Sequence, residues 1–169
     1  SKVLVPKTDK PLPIYFRESE MVAFKELNKI PTYEEEMDKV EWLEAMRDYL
    51  VVELLYQTGV RRAELAALED KDIDLVGRQI RVFGKRRKER FVPIGEKLVK
   101  EIEGYMKIKQ DLLQGEECFG IFLVRKKKSG EWVTLGAGGI YNIVRARMSE
   151  VSTLKKHSPH VLRHTFATT

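Results

Sequence analysis

Three short stretches hold residue types able to grip an anion. In "SPHVLRHTFATT", residues 158–169, His160 and Arg163 stand three apart behind Ser158 and Pro159. Serine suits a helix N-cap and proline the first helical position, so a helix is expected to begin there. His160 and Arg163 then fall in its first turns, on one face. A helix N-terminus presents unpaired N–H groups, and a guanidinium fork and an imidazole beside them fit a phosphate or a carboxylate. A capped helix with an exposed histidine and an ion-paired arginine has the same sequence, and this stretch alone leaves both open.

In "QTGVRRAELAAL", residues 57–68, Gly59 ends one helix and Arg61 opens the next. Glycine lets a ligand approach the backbone, and Glu64 is placed to hold Arg61 from its own helix. A helix junction with a local ion pair is the other reading. The third stretch is "GKRRKER", where five of seven residues are basic: Lys85, Arg86, Arg87, Lys88 and Arg90. Cations crowded on one turn repel each other, and a nucleic-acid backbone would relieve them. A solvated hairpin tip is the alternative. "RKKKSG", residues 125–130, is a second basic tip with the same choice.

His157, His160 and His164 also raise the question of a metal. His157 precedes the expected cap, and no nearby Cys, Asp or Glu completes the three or four converging ligands that zinc needs. No metal and no cofactor is expected.

These residues need elements to position them. A short helix is expected over 18–29. A longer one follows, with Val40, Leu43, Met46, Leu50 and Leu54 in helical phase, acidic residues at 34–36 suiting its start and Gly59 as its stop. Its last part, "VVELLY", is apolar nearly all round and should be buried, with Tyr49 and Tyr56 reading as core. "RRAELAAL" makes a second, short helix. The period then changes: Ile80 and Val82, then Phe91, Val92 and Ile94, are β-type residues flanking the basic turn, which predicts a small antiparallel hairpin or three-stranded sheet. Leu98, Ile102, Met106 and Leu113 mark another helix. "IFLV" at 121–124 is a strand or buried coil, and Ile140, Val144 and Val151 share one face of a further helix. The fold class is mainly α with one small antiparallel β-sheet, α+β.

The whole chain is of one-domain size, 169 residues, with 43% hydrophobic residues and a net charge of +5. That excludes a disordered chain. Cys118 is the single cysteine, so no intramolecular disulfide forms and a reducing compartment is the natural setting. No stretch reaches the length of a membrane span and no signal-peptide core stands out, so a cytoplasmic protein is expected. Pro6, Pro11 and Pro13 make 1–17 a linker or arm ahead of one domain over 18–169. A start on a linker suggests a piece of something longer.

Taken together and in order, "TGVRRAEL", "DIDL", "GKRRKERFVPI" and "SPHVLRHTFAT" resemble the catalytic domain of tyrosine recombinases, the phage integrase family. The resemblance runs from about Val51 to the last residue. It implies the integrase catalytic-domain fold and site-specific cutting and rejoining of double-stranded DNA by a homo-tetramer, with no membrane involved. By motif, Arg61 matches the first catalytic arginine, Lys85 the hairpin lysine, and His160 and Arg163 the H-x-x-R pair. Glu64 matches a supporting glutamate in the first helix of the motif. Arg86, Arg87, Lys88 and Arg90 are then contacts to the DNA backbone. The chemistry agrees: two guanidinium forks stabilise charge on the nonbridging oxygens, and Lys85 can protonate the leaving 5′ oxygen. His160 could bond the phosphate or take the nucleophile's proton.

The family's nucleophile is a tyrosine that follows the H-x-x-R block after a further His or Trp. Here six residues follow Arg163, and Tyr15, Tyr33, Tyr49, Tyr56, Tyr105 and Tyr141 all precede it. The resemblance therefore implies a catalytic domain lacking its C-terminal part and inactive in cleavage by itself. A relative that binds DNA without cleaving it is the alternative, and a helical interaction domain unrelated to nucleic acid is the third reading. The target sequence, and whether the reaction is integration, excision or dimer resolution, are not legible.

Overall fold

A computed structural model of the chain describes residues 28–32 and 37–157, with side chains as far as 150. The expected arm, most of the expected helix over 18–29, and the last helix with His160, Arg163 and His164 lie outside the described residues.

The long helix expected from the apolar stripe is α1, Lys39–Thr58. It begins after Asp38, whose carbonyl accepts from the Trp42 N–H at 3.0 Å. It ends at Gly59, which takes the left-handed conformation, φ 68°, and donates its N–H to the Leu55 carbonyl. Leu43, Leu50, Val51, Leu54 and Leu55 are buried almost completely. Such all-round burial needs partners on several sides, and α1 packs against both α3, Glu96–Leu113, and α4, Ala137–His157. Leu98, Ile102 and Tyr105 of α3 and Ile140, Val144 and Met148 of α4 complete that core. Tyr56 corrects the sequence reading: it is 41% exposed. The last turn of α1 emerges from the core, so the burial stops one residue short of it.

A short helix, α2, covers Arg62–Ala66. Three strands follow in the order β1, Ile73–Asp74; β2, Gln79–Phe83; β3, Glu89–Pro93, all antiparallel. This is the sheet expected around the basic turn. The pairing sets which side chains share a face, because directly opposed residues point the same way. Ile80 opposes Val92 and Val82 opposes Arg90, making the inner face, while Arg81 opposes Phe91 on the outer one. Asp72 anchors the root of this hairpin: Arg81 donates to its Oδ1 from Nη2 at 2.9 Å and Nε at 3.2 Å.

A second, two-stranded sheet joins β4, Leu123–Arg125, to β5, Trp132–Thr134. One sheet was expected. Strands of three residues are too short to show a period of two, so the second sheet is hidden in the sequence. "IFLV" divides: Ile121 and Phe122 are buried coil and Leu123 begins the strand. Lys109 of α3, 1% exposed, donates to Asp70 Oδ1 at 2.6 Å and to the Gly120 carbonyl at 2.7 Å. No helix among the described residues is long and apolar enough to cross a membrane.

Candidate active site

Arg61 stands at the junction of α1 and α2. Gly59 turns the chain, Val60 is fully buried, and Leu65 of α2 is fully buried on the other side. Arg61 is therefore held in an extended conformation, φ −80°, ψ 155°, between two apolar anchors. Helix α2 has only five residues. Its dipole is correspondingly small, so the attraction for anions at this junction comes from side chains more than from the helix end.

Glu64, 9% exposed, accepts three hydrogen bonds. The Arg61 backbone N–H donates to Oε1 at 2.8 Å. The Arg90 guanidinium donates from Nη1 to Oε2 at 2.7 Å and from Nη2 to Oε1 at 3.0 Å, a bidentate fork. The Arg90 hydrogen bonds hold the Glu64 carboxyl below the usual glutamate range; burial opposes this, and the Arg61 N–H adds to it. Glu64 thus supports Arg61 through its main chain, as a capping acid does, and joins the short helix to the hairpin. The guanidinium it grips in this fork is one that sequence reasoning assigned to DNA. Strand parity was the signal: Arg90 is two residues before Val92 and opposite Val82, so it points inward toward α2.

Lys85 begins the tip of the β2–β3 hairpin. The tip is closed by its own backbone, with the Gly84 N–H donating to the Lys88 carbonyl at 2.9 Å and the Arg87 N–H to the Gly84 carbonyl at 3.1 Å. Arg86 and Arg87 both have positive φ, 61° and 58°. That is a costly conformation for residues with a Cβ. The side chains of Lys85, Arg86, Arg87 and Lys88 are all exposed. Arg61, Glu64, Gly84, Lys85, Lys88, Glu89 and Arg90 line one open pocket of about 390 Å³. The structure therefore brings together Arg61, Lys85 and Glu64 from separate elements, as the motif order implied, with Lys88 and Arg90 beside them. Arg86 and Arg87 do not line this pocket.

The sequence pattern of the phage integrase family matches residues 21–169. This chain belongs to the phage integrase family. Among its relatives, the tyrosine recombinase XerC of Staphylococcus aureus (strain bovine RF122 / ET3-1) is 37% identical over 163 residues, 96% of this chain and 49% of that protein. XerC of the same species, strain MSSA476, is 36% identical over the same length. The crystal structure of XerA recombinase superposes with a TM-score of 0.54 at 29% identity, covering 93% of this chain and 50% of that one. The integrase catalytic-domain fold expected from the motifs is the fold observed. The chain spans about half the length of the relatives it matches.

None of the described tyrosines lines the pocket. Tyr49 and Tyr105 are buried, and burial pushes both phenols upward, away from the ionised form a nucleophile needs. Tyr141 lies beneath the Arg62 guanidinium, 4.6 Å from ring centroid to Cζ.

Proposed function

We propose that the full-length protein is a site-specific DNA recombinase that cleaves and rejoins double-stranded DNA through a 3′-phosphotyrosyl link. The observation that carries this reading is the meeting of Arg61 and Lys85, from a helix junction and a hairpin tip, in one open cationic pocket. The names of the relatives, tyrosine recombinases, support it.

In this reading a tyrosine oxygen attacks the scissile phosphorus. A P–O bond to tyrosine forms as the P–O5′ bond breaks, and the phenolic proton passes to a base, with His160 in that role. The Lys85 ammonium gives a proton to the departing 5′ oxygen, which leaves as a hydroxyl. Arg61 and Arg163 stabilise the charge on the nonbridging oxygens. Rejoining is the reverse, with a 5′ hydroxyl of another strand attacking phosphorus and the tyrosine leaving. Arg86, Arg87 and Lys88 run along the DNA backbone and supply salt-sensitive affinity. Four protomers act on two duplexes, since exchange cuts four strands. By the family's pattern the nucleophile is a tyrosine that follows the H-x-x-R block. The reducing, cytoplasmic setting suits a protein with one cysteine.

The test incubates the full-length protein and its Arg163→Ala variant with duplex DNA carrying the recombination site. Full-length protein linked covalently to a 3′ phosphate, with the link lost in the variant, is the expected result. No link from the full-length protein would overturn the reading.

A further inference from the structure

The Glu64–Arg90 fork lines the pocket, and it engages an arginine that the motifs group with the DNA-backbone contacts. Its surroundings explain why it is needed. Arg61, Lys85, Lys88 and Arg90 converge on one pocket, and like charges at such spacing push the hairpin tip away from the helix junction. Glu64 and Glu89 are the carboxylates among them, and the two oxygens of Glu64 take both the Arg61 main chain and the Arg90 fork.

We propose that Arg90 is a positioning residue: clamped by Glu64, it holds the β2–β3 tip against the Arg61 segment so that Lys85 meets the leaving oxygen of the phosphate that Arg61 grips. The proposal rests on the recombinase reading above. Three observations carry it. Arg90 stands opposite the buried Val82, and although its side chain is 46% exposed at the open pocket, both its terminal nitrogens are taken by Glu64. The Gly84–Lys88 backbone bond makes the tip one unit with the strand end, so fixing Arg90 fixes the base of the Lys85 side chain. And Gly84 leaves room for the fork: a Cβ there would stand 3.3 Å from Glu64 Oε2 and 3.4 Å from Arg90 Nη1. The hairpin is thus fastened twice, at its root by Asp72 and Arg81 and at its tip by Glu64 and Arg90. A bidentate fork fixes orientation as well as distance, which a lysine at the same position would not do.

The experiment uses the full-length protein and two duplexes that differ at the scissile 5′ bridging atom, oxygen in one and sulfur in the other. A thiolate leaves without a proton, so the sulfur duplex does not need Lys85. Arg90→Ala is expected to slow covalent linkage on the oxygen duplex by about 10–100-fold, the effect of a misplaced catalytic group. On the sulfur duplex the rate is expected to return to within about threefold of wild type, since general-acid help is no longer required. Arg90→Lys, with its charge but no fork, should be slow on oxygen as well. Affinity and its salt dependence should stay unchanged in both variants. Equal slowing on the two duplexes would overturn the proposal, because Arg90 would then be acting through Arg61 or through folding. So would normal cleavage at saturating DNA with the logarithmic salt slope reduced by about 0.9, the mark of one lost phosphate contact. If wild type links to neither duplex, the recombinase reading fails and the role falls with it. Amide hydrogen exchange across residues 83–89 then reads the clasp by itself: faster exchange in Arg90→Ala keeps it, and unchanged exchange overturns that too.

Discussion

The molecule has two basic hairpin tips, and they are held differently. At the tip between β4 and β5 every fastening is local. Arg125 lies over the ring of Trp132, its partner across the strand pair, at 5.7 Å and donates to the Gly130 carbonyl at 3.2 Å. Lys126 pairs with Glu131 at 3.6 Å, both exposed. At the tip between β2 and β3 the fastening is long-range: Arg90 reaches Glu64, 26 residues earlier on another element, and Lys85 is left facing the pocket that Arg61 lines. The two runs of Lys and Arg read alike in the sequence. What separates them is a carboxylate of another element that takes one of the cations. On the proposed reading, that restraint is what makes a site of one charge run and leaves the other a solvated tip.

The largest effect that would sharpen this contrast is at Lys85. Lys85→Ala in the full-length protein should slow covalent linkage to DNA by about 10²-fold or more, the scale of a lost general acid. Replacing both Lys127 and Lys128 with Ala should leave that rate, at saturating DNA, within about twofold, in line with an unrestrained surface charge. A second tip as sensitive as the first would break the comparison. Next is the stability carried by the fork. A double-mutant cycle on Glu64 and Arg90 in urea denaturation should give a coupling of about 1 kcal/mol, the upper end for a pair whose arginine is partly exposed. The same cycle on Lys126 and Glu131 should give close to zero, as for most exposed pairs. The smallest effect is with pH. Glu64 is held below its ordinary value of 4.5 in the folded chain, chiefly by Arg90. As pH falls below 4.5, the unfolded state takes up this proton first, so stability falls. The Glu64–Arg90 coupling should therefore be whole at neutral pH, decline below 4.5, and vanish as pH passes the depressed value in the folded state. Coupling that grows on acidification would mean that the pair is not the one described.

Much of this arrangement was legible in the residues. The stripe from Leu43 to Leu54 predicted α1, Gly59 its end, and the switch to Ile80, Val82, Phe91 and Val92 the sheet around the basic turn. Arg61, Glu64 and Lys85 were legible by motif, and the structure brings them into one pocket. The misses have physical causes. Tyr56 was read as core because the run before it is apolar, but a helix end leaves the core wherever its packing partners stop. β5 was invisible because three residues carry no period. The contact of Arg90 with Glu64 was not foreseen because its charge groups it with the tip; counting pairs across the hairpin places it opposite Val82, on the face that meets α2.

The recombinase reading requires this pocket to hold a scissile phosphate. The most direct measurement takes the full-length protein and its Arg61→Ala variant, incubates each with supercoiled plasmid carrying the recombination site, and quantifies protein linked to a 3′ phosphate. Wild type should form the link, and the variant should form it about 10²–10³-fold more slowly while still binding DNA, the loss expected for one preorganised donor. A variant that links as fast as wild type would contradict the placing of the reaction beside Arg61.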